Sequence, residues 1–468
     1  MLGLGSRGDV QPCAALAREL AARGHAVTLV APRRYAWLAR RGDGDVAPPE
    51  CGSGGGIAPP ECGDGGVAPP ECGDGGVAPP ECGDGDIAPA KRGGEDVAPG
   101  DRGDRYGATA GPGVAFAALS VDPPAVVESE EGRRWLGSGP LGFVRGFRTV
   151  VEPLATTLVK EVDAACAGAD LVLAPALGAF GRHLHDRYGI PYRILHFQPS
   201  EPTREFPNPL VPPATLGPLG NRASYAVIER LGWLVLGRMV NRLRSSVLGL
   251  GPLRGSPFAA DRRARVPVLC GVSPLVVPRP ADWPGHVHLT GYWRLPAAEA
   301  DGGIEDFLQA GPAPVFVGFG SMVPGEPERV AAEVAGALRR ARMRGVVQGL
   351  PVAEDDDVRV VGEVAHERLF PRMAAVVHHG GAGTTGTALA AGVPNVVCPF
   401  FSDQPFWGRR VAALGVGPRP LPVTGLTRDE LAARLIAVHE YRENAVRLGR
   451  LLRVEHGVKN AADLIDRP

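Results

Sequence analysis

The stretch Val377-His378-His379-Gly380-Gly381-Ala382-Gly383-Thr384-Thr385 follows an apolar run at 375–377 and opens a second run, 384–391, that reads as a helix. A short apolar strand, a glycine-rich turn and a helix, in that order, make the repeating unit of a parallel α/β sheet. Glycines let the backbone approach a ligand closely, and a helix start offers unpaired N–H groups at the positive end of its dipole. The stretch therefore reads as a seat for a diphosphate, with Thr384 or Thr385 as cap or donor and one histidine in contact. The plainer alternative is a glycine-rich turn with a threonine cap. Two histidines beside four small residues weigh against it.

Working outward, Phe400-Phe401-Ser402-Asp403-Gln404-Pro405 lies one strand later, after 395–397, and so on the same sheet edge. A carboxylate beside an amide can bond adjacent hydroxyls of a polyol. Its bland reading is an N-cap aspartate before the helix 406–414. Upstream, 315–319 and 358–361 read as strands and 328–340 as a helix. The N-terminal half carries a second series: helix 12–23 stopped by Gly24, strand 27–30, short helix 34–41, strands 114–119, 171–173 and 192–197, a helix after Gly178, and a Pro-rich segment 198–218 before a helical stretch 224–247. Short apolar strands alternating with helices predict parallel sheets covered on both faces. The expected fold is α/β, with two Rossmann-like domains facing across a cleft: residues 1–295, a linker 296–312, and residues 313–468, the last helix returning to the first domain. Ligands in such sheets sit at the carboxyl ends of the strands.

At the start, Gly3-Leu4-Gly5-Ser6-Arg7-Gly8 matches G-x-G-x-x-G, and Arg33 lies where a 2′-phosphate would be met. An NADP-dependent oxidoreductase is therefore the alternative from another reaction class. Only Met1 and Leu2 stand where the preceding strand belongs, whereas a buried strand usually has about five residues. We expect the physiological start to lie several codons upstream.

The 468 residues carry 50 Lys+Arg against 51 Asp+Glu, a formal charge of −1, which excludes a dedicated nucleic-acid binder. There is no run of about 18 apolar residues and no apolar leader, so a cytoplasmic protein is expected. Much of the excess of 65 Gly and 47 Pro lies in a decapeptide repeat of the form GDGGVAPPEC within residues 42–112. Each unit has one branched apolar residue, too little burial to offset the backbone entropy of ordering it. A disordered, dispensable insertion in a helix-to-strand loop is expected, against an adhesive or metal-binding arm as the alternative. Cys51, Cys62, Cys72 and Cys82 recur with the repeat but lack C-x₂₋₄-C spacing, so no metal site is read into them. The D-x-D triplets at 43–45 and 84–86 and the acidic run 354–357 read as solvated charge. His183 and His185 read as ordinary helix residues.

Several segments together resemble a known family: Gly5-Ser6-Arg7-Gly8-Asp9-Val10-Gln11-Pro12, Pro202-Thr203-Arg204-Glu205-Phe206-Pro207, Gly291-Tyr292-Trp293, Val317-Gly318-Phe319-Gly320-Ser321-Met322, His378 to Thr385, and Pro399 to Trp407. They are similar to the UDP-glycosyltransferases of the two-Rossmann GT-B fold, nearest sterol 3-beta-glucosyltransferases and vancomycin-type antibiotic glycosyltransferases. The resemblance covers nearly everything outside residues 42–112. It implies that Asp9 is the general base toward an acceptor hydroxyl, with Ser6 beside it. It also implies that Ser321, His379, Gly381, Gly383 and Thr384 hold the nucleotide diphosphate, and that Asp403 and Gln404 read the donor sugar. The implied reaction is inverting and metal-independent, with no cofactor beyond a nucleotide-sugar co-substrate, UDP-glucose first. A tryptophan that relatives carry near the base is missing from Val346-Val347-Gln348-Gly349-Leu350. Base recognition is then expected from the backbone around Glu363 and Val364.

The implied function is transfer of a hexose to a hydroxyl of a lipophilic acceptor such as a sterol or polyketide. The alternatives are glycosylation of an antibiotic aglycone from a dTDP-deoxysugar, and a catalytically dead sugar-nucleotide binder. The acceptor is expected on the N-terminal domain, with Trp233, Leu234, Val235 and Leu236 as an apolar pocket wall or, more plainly, as core. Transient contact with a membrane surface is compatible with such an acceptor.

Overall fold

Parallel strands need crossover helices to connect them, and the computed structural model has both in alternation. It describes residues 1–39, 113–122, 125, 152–211, 216–295, 303–320 and 326–467. The repeat at 42–112, residues 296–302 of the linker and Ser321 lie outside the described residues.

The strands are β1 (Thr28–Pro32), β2 (Ala115–Leu119), β3 (Val172–Pro175), β4 (Tyr192–His196), β5 (Val268–Cys270), β6 (Val287–Leu289), β7 (Val315–Gly318), β8 (Gly345–Gln348), β9 (Val358–Val361), β10 (Ala375–His378) and β11 (Asn395–Val397). The helices are α1 (Arg7–Ala22), α2 (Glu152–Cys166), α3 (Phe180–Tyr188), α4 (Gly217–Ser246), α5 (Pro257–Arg263), α6 (Glu305–Gln309), α7 (Pro327–Ala341), α8 (His366–Leu369), α9 (Ala382–Ala391), α10 (Gln404–Ala413), α11 (Arg428–Ile436), α12 (Arg442–Arg453) and α13 (Gly457–Ile465).

The second sheet has the order β11-β10-β7-β8-β9, all parallel. Its inner strands β10, β7 and β8, with β11, are valine-rich and largely buried on both faces, as a sheet sandwiched between helices requires, while the edge strand β9 exposes Arg359. Val315, Val317 and Val347 pack on α7 and α11, while Phe316, Val346 and Val376 face the opposite layer around Phe370. The order reverses between β7 and β10, and that switch point is where ligands bind in such sheets.

In the first sheet, β2 pairs with β1 and β3-β4-β5-β6 follow in parallel. The segment Met1–Gly3 joins the two ladders. Gly3 N–H donates to Val30 O and Leu2 N–H to Leu173 O, each at 2.9 Å. The N-terminal ammonium donates to Thr28 O at 2.7 Å. Here too the order reverses at the strand that leads into the glycine motif, so Gly5–Asp9 occupies the second switch point.

Helix α1 begins at Arg7, five residues before the start at 12 expected from Pro12. The reason is a cap: the Asp9 carboxylate accepts from the Ser6 backbone N–H at 2.9 Å, and Asp9 N–H donates to Ser6 O at 2.9 Å. That turn begins the helix and carries Asp9 on it. The far end of the chain packs against the same helix. Ala461 and Ala462 of α13 are fully buried beside α1 and β1, and Arg23 pairs with Asp463 at 2.7 Å and Asp466 at 2.8 Å. Cys13, Cys166, Cys270 and Cys398 are buried free thiols. Among the described residues no helix is long and apolar enough to cross a membrane.

Candidate active site at the facing strand ends

The two histidines after β10 do different things. His378 is fully buried. Its Nδ1 accepts from Gly380 N–H at 3.1 Å, which puts the ring proton on Nε2, and Nε2 donates to Asn395 Oδ1 at 3.0 Å. Both ring nitrogens are satisfied inside the sheet, and burial pushes its pKa down to about 3. His378 is structural. His379 turns toward the strand ends instead. Its Nδ1 is buried with no partner among the described residues, and burial lowers its pKa to about 4, so the imidazole is neutral at pH 7. A buried nitrogen without a partner is costly, so this one is available to accept or donate to a bound group.

Glycines make the seat for that ring. A Cβ on Gly381 would come within 2.4 Å of His379 Nε2, and one on Gly320, at φ +62°, within 3.2 Å of its Cε1. Gly381 is also the N-cap of α9, and no side chain fills that cap. Thr385 N–H is bonded to Gly381 O at 2.9 Å, and the Thr385 hydroxyl reaches the same oxygen at 2.8 Å. The N–H groups of 382–384 precede that bond and have no backbone acceptor among the described residues, at the positive end of the helix. Thr384 is half-buried beside them and its hydroxyl has no partner among the described residues. Of the residues expected on a diphosphate, His379, Gly381, Gly383 and Thr384 converge at one helix start. Ser321 lies outside the described residues, just past the Gly320 turn.

Asp403 and Gln404 adjoin this seat. Gly380, at φ +90°, lies so close to α10 that a Cβ would meet Gln404 O at 3.0 Å. Ser402 sits at φ +63°, a strained conformation for a residue with a side chain, and this turn presents Asp403. The Asp403 carboxylate accepts from the fully buried Trp407 Nε1–H at 2.8 Å. Burial nonetheless raises its pKa above the usual carboxylate range. Gln404 Oε1 accepts from Phe400 N–H at 2.7 Å and Phe401 N–H at 3.3 Å, which leaves its amide NH₂ to donate outward.

Asp9 faces these groups from the other sheet. Its Oδ2 accepts from the Ser6 N–H at 2.9 Å and the Ser6 hydroxyl at 3.2 Å. A Cβ on Gly5 would lie 2.1 Å from that oxygen, so only glycine fits there. Burial raises the Asp9 pKa, the Ser6 bonds oppose the rise, and the nearby Asp403 carboxylate adds to it. The two acids thus share one electrostatic environment across the cleft. The helix starts of α1 and α9 approach each other, with a Cβ on Gly383 falling 3.5 Å from Gly8 Cα. Gln11 on α1 donates to Glu367 on α8 at 2.6 Å, and Phe206 packs on Phe406 of α10 at 5.5 Å. These long-range pairs were invisible in the sequence. Trp407 was visible, four residues past Asp403 on one helix face.

At the end of β8 the Gln348 amide donates to Gly362 O at 2.6 Å, and its Oε1 meets His366 Nε2 at 3.3 Å. His366 stacks on Phe370 at 4.5 Å. The Val364 side chain is buried among Phe316, Val361 and Phe370, so this position offers a ligand its backbone only. A dinucleotide reading of Gly3–Gly8 meets an obstacle: the α1 start already holds a carboxylate, which repels a pyrophosphate there. His183 is tied to Arg244 at 2.9 Å inside the first sheet's helical layer, away from this cleft. Glu354 pairs with exposed Arg359 at 3.5 Å.

The model of the N-terminal domain of glycosyltransferase family 28 matches residues 1–41. The model of the erythromycin biosynthesis protein CIII-like C-terminal domain matches residues 325–452. The chain is similar to a sterol 3-beta-glucosyltransferase of Arabidopsis thaliana, 37% identical over 306 residues, which cover 63% of this chain and 47% of the relative. It is similar along its whole length to O-mycaminosyltylonolide 6-deoxyallosyltransferase of Streptomyces fradiae, 31% identical over 482 positions, 100% of this chain and 96% of that one. The chain spans about half the length of the plant sterol relatives it matches, 47% and 60%, and 24% of a fungal one. In fold it is similar to the solved glycotransferase of kitacinnamycin, with a TM-score of 0.56 at 19% identity over 100% of this chain and 97% of that one.

Proposed function

Because the chain belongs to the GT-B glycosyltransferases, sharing their family 28 and EryCIII-like domains and the full length of a Streptomyces relative, we propose that it transfers a hexose, with inversion, from UDP-glucose to a hydroxyl of a lipophilic acceptor in the cytoplasm. The observation that carries this reading is the seat at α9: a neutral His379 whose buried Nδ1 has no partner among the described residues, beside an uncapped helix start, with a carboxylate facing it from the other sheet.

In this proposal the nucleotide diphosphate lies on the N–H groups of 382–384, the Thr384 hydroxyl and His379; Ser321, outside the described residues, is assigned to it by the resemblance alone. Asp403 and the Gln404 NH₂ hold sugar hydroxyls, and the backbone at Val364 meets the base. Asp9 takes the proton from the acceptor hydroxyl as its oxygen bonds to the anomeric carbon. The bond from that carbon to the phosphate oxygen breaks, and the charge leaves on the diphosphate. Fixed N–H dipoles standing where that charge develops lower the barrier without reorganising. The reading assigns no metal and no further cofactor to this step. Ser6 is a positioning residue, since its two bonds aim the Asp9 carboxylate.

A second reading, an antibiotic-type enzyme using a dTDP-deoxysugar, is favoured by one observation: the relative matched over its full length is named a 6-deoxyallosyltransferase. A donor-hydrolysis screen across UDP- and dTDP-sugars, followed by acceptor profiling, separates the two. Hydrolysis of UDP-glucose with sterol-like acceptors supports the first, and dTDP-deoxysugars with macrolide-like aglycones support the second. Binding of NADPH without any sugar nucleotide overturns both.

A further inference from the structure

Helix α4 carries an apolar stripe that the described fold leaves uncovered. Leu219, Val227, Leu231 and Leu234 fall within one third of the helix circumference and are 77%, 54%, 54% and 69% exposed. The helix buries Asn221, Ser224, Tyr225, Leu243 and Arg244 outside the arc of the stripe, and Gly237 lies beneath the Trp233 ring. The other large apolar residues exposed in the described fold are scattered singly or in pairs along their elements, which is ordinary; a stripe along one helix is not.

The charge on this face is one-sided. Two exposed arginines, Arg230 and Arg238, lie within the arc of the stripe, and exposed Arg222 and Arg242 lie outside it. Arg222 meets Asp282 at 3.4 Å and Arg242 meets Glu152, while Arg230 and Arg238 have no acidic partner among the described residues. The only acid in the helix, Glu229, is taken by Arg262 through two bonds of 2.6 and 2.7 Å. This cationic, leucine-rich face stands out in a chain whose formal charge is −1.

We propose that this face of α4 docks the protein on a lipid surface bearing anionic headgroups. With this face against the bilayer, Leu219, Val227, Leu231 and Leu234 reach the acyl boundary, and Arg230 and Arg238 between them lie at the phosphates with their stems along the same boundary. A second copy of this chain is the poorer occupant, because the same face would set guanidinium against guanidinium. The inference uses none of the residues at the strand ends; Leu234, read from sequence as pocket wall or core, is instead 69% exposed on this face.

The test is flotation of the full chain with phosphatidylcholine vesicles and with mixed phosphatidylcholine–phosphatidylglycerol vesicles, without donor or acceptor. The wild type is expected to float with the mixed vesicles only, and to be released as salt is raised past the range where surface charge is screened. Leu231→Gln with Leu234→Gln should cut the bound fraction roughly tenfold, and Arg230→Glu with Arg238→Glu should do the same while abolishing the preference for anionic lipid. All four side chains are solvent-exposed, so melting temperatures should stay put. Leu219→Gln serves as a second apolar variant if the pair unfolds. A wild type that stays at the bottom of the gradient, variants that float like it, or a soluble dimer that the leucine variants split, each overturns the proposal. UDP-sugar hydrolysis measured in solution reports separately on the reaction.

Discussion

Replacing Asp9 by asparagine separates its two roles, helix cap and base. As a cap, Asp9 Oδ2 accepts from the Ser6 N–H at 2.9 Å and the Ser6 hydroxyl at 3.2 Å. An asparagine Oδ1 can accept both, so the turn that starts α1 should survive. Losing a negative charge at a helix start costs about 0.3–1 kcal/mol. Against that, the variant escapes the burial and the Asp403 repulsion that raise the Asp9 pKa. The two effects offset to within about 1 kcal/mol, so the melting temperature should move by no more than about 2–4 °C. The sign with pH is fixed. An acid whose folded pKa is raised contributes stability below its ordinary value of 3.8, and that contribution is lost as pH rises through the folded pKa. Asp9→Asn should therefore gain stability relative to the wild type as pH rises through that window. As a base, a carboxamide accepts no proton, and transfer should fall by about 10²–10⁴, or roughly 3–5 kcal/mol of barrier. In the wild type, kcat/KM should drop on the acid side through the raised pKa, and the variant should lack that limb. The assays are product formation against pH, UDP affinity by calorimetry, and thermal melts. Transfer within about a factor of ten of wild type, with the acid limb intact, would refute Asp9 as the base.

His379→Ala should leave the fold intact and weaken UDP binding about 10–150-fold, the loss of a hydrogen bond to a charged group, as calorimetry would show. Its neighbour should behave in the opposite way: His378→Ala orphans Asn395 Oδ1 and Gly380 N–H and should cost about 2–5 kcal/mol in urea unfolding. Gly381→Ala keeps an ordinary backbone conformation but drives a methyl to 2.4 Å from His379 Nε2, so nucleotide affinity should fall with little change in melting temperature. Trp407→Phe removes the donor at 2.8 Å from Asp403 and should raise the KM for the sugar nucleotide more than it raises the dissociation constant of free UDP. Equal effects on both would mean that Asp403 does not read the sugar.

The parts of this molecule legible from sequence were those where one residue pattern had one physical solution. β7, β10 and β11 are valine-rich because both their faces are buried, and a glycine loop between strand and helix has few uses. Three-residue strands among prolines, such as β5 and β6, carry too few residues to show a period, and they were missed. The start of α1 was misplaced because Pro12 reads as a first-turn residue, whereas the Ser6–Asp9 cap begins the helix earlier and brings Asp9 into it. Two adjacent histidines are indistinguishable on paper. Asn395, seventeen residues away, decides that His378 is structural and releases His379 to the site. The same limit applies to α4. Helical spacing says which residues share a face, and it groups Leu231 and Leu234 correctly. It does not say which face turns inward, and here the buried face is built from Asn221, Ser224 and Tyr225, with Ser224 Oγ accepting from Asn208 N–H at 2.8 Å and donating to Asn221 O at 2.6 Å. The helix sends Leu243 into the core but pairs polar groups inside over its first turns and leaves Leu231 and Leu234 outside, against the usual amphipathic order. The lipid-docking proposal for α4 rests on that mixed pattern.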